Sequence, residues 1–460
     1  MTTGLLISLN RARRPSPVVP VGVGYLQQAL EENGHPTQLL DLCFVEDGLI
    51  TDRVLEAARS RQPQLIGISI RNVDNETLLR YNSMLDLARH VADTLRCECP
   101  NAVIVLGGAA FSLLPQEFMN SVSSADLGIT GEGEQSIVDI AEMLEAGKTR
   151  EQVIAGTIVS QGRRHFEGRA AAAHVPTCFS PDPQYFARRE IHPGYGVQTK
   201  RGCPLHCVYC GVPDVEGNRF RLRDPRAVVD EIALIHDRLG VDRIFFTDSV
   251  FNIPRTHAMS ICRELIAREM AIDWMAYGYP VGLGDVEANL MRKSGCSILN
   301  FGSDAGTDGM LRNMGKIFSP DQIVSSSLAV RRAGIHVIQS LLLGGPGETV
   351  NSVRETLDVM ARAEPNVLTI AFGIRLYPKT PLWRNLILDY PELKPNDDEV
   401  LRPIFSLSKA LGRQECADIA DLIEKFIRQY PEIQVKPTFA LDSLRNSGAS
   451  VPDNAVLVRN

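Results

Sequence analysis

The chain has 460 residues, more than the roughly 250 to 300 at which a single hydrophobic core stops growing, so at least two large domains are expected. With 44% hydrophobic and 22% charged residues it has an ordinary globular composition, and a net charge of -7 advertises no basic face for nucleic acid. No apolar run approaches the roughly 18 residues that span a bilayer, and the early arginines follow the short apolar stretch instead of preceding it as in a signal peptide. A cytoplasmic protein with no membrane partner is the expectation.

Residues 1–150 alternate short β-rich runs with amphipathic stretches: Leu5 to Ser8, Tyr25 to Glu32, Leu39 to Leu42, Val54 to Ala58 and Leu65 to Ile70. A long helical pattern from Leu78 to Leu95, a run from Val103 to Leu106 and a helix from about Glu134 to Leu144 follow. Strands alternating with helices at this spacing predict a doubly wound, Rossmann-like parallel sheet. Turn residues stand where its strands should end: Arg71-Asn72-Val73-Asp74-Asn75, Gly107-Gly108 and Gly131-Glu132-Gly133-Glu134. In open α/β sheets ligands lie beyond the carboxyl ends of strands, so these loops are candidates to line one site; tight turns alone explain the glycines equally well.

Residues 151–190, with a possible hairpin about Gln161-Gly162 and an Ala- and Pro-rich stretch, read as an interdomain connection. From Gly196 a second alternation begins. Candidate strands lie at Gly196 to Thr199, Ile244 to Thr247, Met275 to Tyr277, Ile298 to Phe301, Val337 to Leu343 and Leu368 to Phe372, with helices between them. Six such units over residues 191–389 predict a partial (β/α)6 barrel with its active face at the strand C-termini. Residues 390–460 form a small, mainly helical extension with a helix from Gln414 to Tyr430.

Of the ten cysteines, Cys43, Cys178, Cys262, Cys296 and Cys416 are scattered singly and read as core residues. The sharpest signal is Lys200-Arg-Gly-Cys203-Pro-Leu-His-Cys207-Val-Tyr-Cys210, three thiols in eight residues directly after the first barrel strand. Four thiolates are the usual complement of an iron-sulfur cube, so a compact set of three leaves one iron open to another ligand. Structural zinc closes four ligands, and His206 has no matching second pair. The three cysteines are therefore the candidate metal ligands, for an iron-sulfur cluster ahead of zinc.

This Cys-x3-Cys-x2-Cys pattern, with an aromatic before its last cysteine, resembles the signature of the radical S-adenosylmethionine (SAM) enzymes. The resemblance implies a [4Fe-4S] cluster on Cys203, Cys207 and Cys210, SAM on the open iron, an external electron donor, and Tyr209 beside the adenine. It continues through Arg221 to Glu231 and through Phe245-Phe-Thr-Asp248-Ser-Val-Phe251-Asn252, where Asp248 could accept from the SAM ammonium or equally cap a helix. Gly302-Ser303-Asp304-Ala-Gly306 stands where relatives carry Gly-x-Glu-Ser-Gly, which makes Ser303 a candidate near the ribose. Leu343-Gly344-Gly345-Pro-Gly-Glu348-Thr matches a turn assigned to the adenine, and Arg375-Leu-Tyr-Pro378 a segment assigned to the SAM carboxylate.

Pro20-Val-Gly22-Val-Gly24-Tyr25, Gly34-His35, Asp41, Gly107-Gly108 and the Gly131–Glu134 loop are similar to the cobalamin-binding domain of the B12-binding radical SAM subclass. None of the nine histidines has an aspartate two residues before it. The Asp-x-His-x-x-Gly motif that ligates cobalt elsewhere is thus absent, and the resemblance implies base-off cobalamin without a protein histidine. Arg71, Asn72, Val73, Gly107, Gly108, Glu132 and Gly133 are the candidate corrin contacts. Arg71 either lies under the corrin, where a guanidinium cannot ligate cobalt, or pairs with Asp74 to shape its loop.

The leading expectation is a cobalamin-dependent methyltransferase acting on an unactivated carbon or phosphorus of a small metabolite. The alternatives are a non-methylating radical SAM reaction (rearrangement, cyclisation or 3-amino-3-carboxypropyl transfer) and a corrinoid- or cluster-binding sensor. Tyr277, Tyr279 and Asn252 are candidate polar residues at the barrel mouth.

Overall fold

The structure is a computed structural model that describes residues 1–13, 17–74, 84–158, 165–167, 181–186, 194–391, 403–447 and 456–459. Asn75, the predicted hairpin at Gln161-Gly162, Cys178 and the start of the helical pattern from Leu78 lie outside these residues.

Six strands build the first sheet: β1 (Gly4–Ser8), β2 (Thr37–Asp41), β3 (Leu65–Ser69), β4 (Val103–Gly107), β5 (Leu127–Thr130) and β6 (His165–Glu167). Their order is β2-β1-β3-β4-β5-β6, with every pair parallel. Alternate residues feed two cores, as a sheet covered on both faces requires: Leu5, Ile7, Ile66, Ile68, Ile104 and Leu106 enter one, while Leu6, Leu65, Val103, Val105, Leu127 and Ile129 enter the other. The chain leaves β1 in one direction and returns on its other side at β3, so the β1/β3 edge is the switch point where such sheets open a crevice. The predicted strands fall on β1 to β4. β6 shows that the first sheet runs beyond residue 150 and borrows a strand from the expected connection.

The second body holds β7 (Tyr195–Val197), the short antiparallel pair β8 (Lys200–Arg201) and β9 (Arg221–Leu222), β10 (Arg243–Phe246), β11 (Asp273–Gly278), β12 (Cys296–Asp304), β13 (His336–Leu343) and β14 (Val367–Phe372). β15 (Ile374–Arg375), β16 (Ile404–Leu407), β17 (Gln434–Pro437) and β18 (Val456–Arg459) complete it. The barrel sheet runs β17-β14-β13-β12-β11-β10-β7, all parallel. The predicted six strands are present, and β17 from the tail adds a seventh. The tail is helical over Arg413–Gln429 and Leu441–Ser447 but also supplies β16 and β18 to a small sheet with β15.

Local chemistry sets the helix ends. Asp224 accepts from the Arg226 amide at 2.7 Å, Pro225 opens the helix Pro225–Leu239, and Gly240 closes it at φ 63°. One face of the barrel sheet packs against the helices through Ile244, Phe246, Trp274, Leu299, Phe301 and Val337. The alternate residues Phe245, Tyr277, Asn300, Ser340 and Thr369 are half-buried or exposed and face the concave side. Among the described residues no helix is long and apolar enough to cross a membrane.

Candidate functional site

The three cysteines sit on a loop that the surrounding chain grips from several directions. Gly202, at φ 86°, precedes them because a Cβ there would lie 2.1 Å from the Arg219 carbonyl oxygen. The Cys203 amide donates to Gly217 O at 3.0 Å, and the Val208 amide donates to Met314 O at 3.1 Å. The Leu382 amide donates to Val208 O at 2.8 Å. Gly315, at φ 73°, passes so close that a Cβ would meet His206 O at 2.1 Å. Cys203 is buried, Cys207 and Cys210 are half-buried, and His206 is exposed, a loop residue as expected.

Burial pushes all three thiols up, and Cys210, also raised by Cys207 and Cys203, reaches about 12. Three thiols that repel one another as thiolates call for a cationic centre among them. No three His, Cys, Asp or Glu side chains among the described residues converge on one point for a single ion. A polynuclear cluster, in which each thiolate binds a different iron, therefore suits this donor set better than zinc does.

Beside Cys207 lies a buried polar group that the sequence did not single out as a unit. Tyr209 donates its hydroxyl to Asp304 at 2.5 Å, and the Lys316 ammonium pairs with Asp304 at 2.7 Å while donating to Gly302 O at 3.0 Å. Burial opposes the charge on Lys316, but Asp304, Tyr209 and Cys207 outweigh it and hold its pKa well above the usual lysine range. Lys316 thus places a fixed positive charge against the thiol loop. It was missed because Asn-Met-Gly-Lys carries no motif; only the close passage at Gly315 brings it there.

Several expected ligand contacts have other partners. Asp248 is fully buried and accepts from Thr199 N at 2.7 Å, Thr199 Oγ1 at 2.5 Å and Lys200 Nζ at 2.9 Å. These contacts fix the strand that leads into the cysteine loop, and Lys200 already pairs with its charge. Ser303 is also buried, donating to Gln339 Oε1 at 2.6 Å on the helix-facing side of the barrel. Gly344 and Gly345 are buried, with Leu407 and Met314 at 2.6 Å from where a Cβ would stand. They let chains cross closely at this turn.

Arg375 is a latch between the two bodies: its Nε meets Asp74 Oδ2 at 3.0 Å, and its plane rests on Tyr377. Glu132 pairs with Arg201 at 3.4 Å and with Arg221, and Glu134 pairs with Arg201 at 2.6 Å. The Gly131–Glu134 loop therefore docks on the strand before the cysteines, with Gly133 packed by Leu26. Val73 is a core residue. Arg71, Asn72, Gly107 and Gly108 remain at the accessible edge. Gly108, at φ 97°, draws the loop after β4 onto the loop after β3, since a Cβ would lie 2.6 Å from Ile70 O. The anticipated meeting of these two loops is real.

Within the turn after β13, Glu348 accepts from Gly344 N at 3.2 Å and Ser352 Oγ at 2.6 Å, and burial raises its pKa to about 7. An unfolded glutamate titrates near ~4.3, so the folded chain holds the proton more tightly. Stability from this group is present at low pH and is lost as pH rises through about 7. Glu348→Gln should gain about 2–3 kcal/mol relative to the parent between pH 5 and 8. Urea midpoints at the two pH values measure it, and a pH-independent difference would reject the buried-acid assignment.

A family model of the radical SAM superfamily matches residues 197–360, and one of the B12 binding domain matches residues 7–141. The thiol loop and the barrel that carries it therefore define a radical SAM enzyme. More narrowly, the chain belongs to the radical SAM enzymes that carry an N-terminal B12-binding domain. An uncharacterized methyltransferase of Pyrococcus horikoshii is 24% identical over 91% of this chain and 90% of its own length. Tryptophan 2-C-methyltransferase of Streptomyces laurentii is 26% identical over 83% of this chain and 74% of its own length. The structure of the radical SAM methyltransferase TsrM from Kitasatospora setae, with cobalamin and a [4Fe-4S] cluster bound, superposes with a TM-score of 0.79 at 22% identity and covers 98% of this chain and 96% of that one. That likeness is one of fold.

Proposed function

We propose that this protein is a cobalamin-dependent radical SAM methyltransferase that methylates an unactivated carbon or phosphorus of a small metabolite in the cytoplasm, drawing electrons from an external donor. The observation that carries the proposal is the gripped loop of three mutually interacting thiols at the C-terminal edge of a parallel barrel, docked by Arg201 and Arg375 onto a doubly wound B12-type domain. Cys203, Cys207 and Cys210 would hold the cluster, which supplies the electron and the open iron for SAM. Lys316 offsets the negative charge that thiolates and sulfides bring, and Tyr209 and Asp304 keep it in place. Asp248 and Lys200 fix the strand entering the loop. Arg71, Asn72 and the Gly107-Gly108 turn are the edge on which a corrin would rest.

With Arg71 at that edge and no histidine there among the described residues, cobalamin bound by the protein and reduced to its paramagnetic Co(II) form should show no nitrogen splitting from an axial imidazole in its electron paramagnetic resonance spectrum. Such splitting would reject the assignment. Incubation with SAM, cobalamin and a reductant under anaerobic conditions should yield S-adenosylhomocysteine. Methylthioadenosine in its place would favour 3-amino-3-carboxypropyl transfer, and failure to bind cobalamin supplied in excess would remove the methyltransferase reading.

A further inference from the structure

We infer that the concave face of the barrel carries a recognition site for a small carboxylate, read by the Tyr277 hydroxyl and the Asn300 amide; this deepens the proposed function by naming its substrate class and rests on that reading. Of the three polar residues expected at the barrel mouth, two have structural tasks. Asn252 donates to the carbonyls of Tyr279 and Val281 and accepts from the Tyr279 amide at 2.8 Å, which consumes both ends of its side chain. The Tyr279 hydroxyl accepts from the Ile317 amide at 3.2 Å, and its ring packs on Phe318.

Tyr277 differs. It is 44% exposed although it stands at the C-terminal end of a central barrel strand, its ring meets Phe245 edge-on at 5.6 Å, and no hydrogen bond to its hydroxyl is present among the described residues.

Tyr277 pairs with Asn300 across β11 and β12, so their side chains stand next to each other on the same face. Asn300 belongs to a directed chain across three strands: Thr369 donates to Ser340 at 2.7 Å, and Ser340 donates to Asn300 Oδ1 at 2.9 Å. The acceptor end of the Asn300 amide is thereby occupied, and its two N–H groups are the end left for the concavity. Two residues on, a Cβ added to Gly302 would meet nothing within 4 Å, so open space adjoins the pair. The Gly302 carbonyl is already taken by Lys316, which ties this slot to the thiol loop.

The Asn300 amide presents donors and the Tyr277 hydroxyl can donate beside it, so together they favour a ligand group rich in acceptors. A carboxylate fits that demand, and the charge of Arg71 acts on this part of the cleft. The Phe245 and Tyr277 rings offer an apolar wall to the remainder of the ligand.

The test uses the full chain with its cluster reconstituted, dialysed against a pool of the twenty protein-forming L-amino acids and simple hydroxy and oxo acids, together with the primary amides of the same compounds. Mass spectrometry reads what is retained, and absorbance of the same samples reads cluster and cobalamin content. At least one free carboxylate should be retained while its amide is not. Its binding should weaken at least tenfold in Tyr277→Phe and in Asn300→Asp, whose added charge repels it, with cluster content unchanged. Retention of no carboxylate, equal retention of the amide, or unchanged binding in both variants would overturn the inference. Loss of cobalamin with carboxylate binding intact would instead remove the methyltransferase reading and leave this site standing.

Discussion

Chains in which Cys203, Cys207 and Cys210 are all replaced by alanine should lose the cluster outright: iron and sulfide should fall from about four each per chain to near zero, and SAM cleavage with them. The reason is the donor set. Cys203 is held through its own amide to Gly217, and the loop between Cys207 and Cys210 is held at Val208 by Met314 and Leu382, so replacing the thiols removes the donors and leaves the backbone contacts of the loop in place. Cys262, buried in the barrel core, is the matched control, and Cys262→Ala should keep its iron. Iron and sulfide assays with the electronic spectrum of the reconstituted protein measure the difference. A full cube in the triple variant would sink the assignment, because the cluster would then rest on residues outside this loop.

The second large effect is expected at the latch between the two bodies. Arg375→Met removes the guanidinium that faces the Asp74 carboxylate at 3.0 Å, where both side chains are almost fully buried. Removing one partner of a buried pair typically costs about 3–5 kcal/mol, because a charge is left in a low-dielectric site. Replacing both, as in Asp74→Leu with Arg375→Met, should recover much of that loss, and the cycle of urea unfolding energies isolates the coupling. SAM affinity should be retained in Arg375→Met once the chain is folded, since the guanidinium is directed at Asp74 and the Leu376 carbonyl. A loss below about 1 kcal/mol, the range of exposed pairs, would show that the contact is not a latch.

Much of the architecture was legible because periodicity reports burial directly. Val103 to Leu106 and Val337 to Leu343 read as strands and are strands. Strands contributed from a distance were not legible. β6 and β17 are three and four residues long, and they join their sheets by pairing with chain far away in sequence, which no local pattern records. The same limit explains the site. Asp248, Ser303, Glu132 and Arg375 have the right residue types in family-like positions, yet each charge or hydroxyl is already committed to Lys200, Gln339, Arg201 or Asp74. A motif states which residue is present; it does not state which partner reaches it first.

The sequence by itself determined the three-thiol loop, the order of a doubly wound half before a barrel half, and the absence of an Asp-x-His-x-x-Gly cobalt ligand, because these are properties of residue type and spacing within one segment. Tertiary structure decided the rest. Lys316 reaches the thiols only because Gly315, with no Cβ, can pass against His206. The polar row from Tyr277 to Thr369 exists only because β11, β12, β13 and β14 pair in a register that puts those side chains on one face. Register and close approach are relations between segments, fixed by the packing of the whole core and therefore invisible in any one of them.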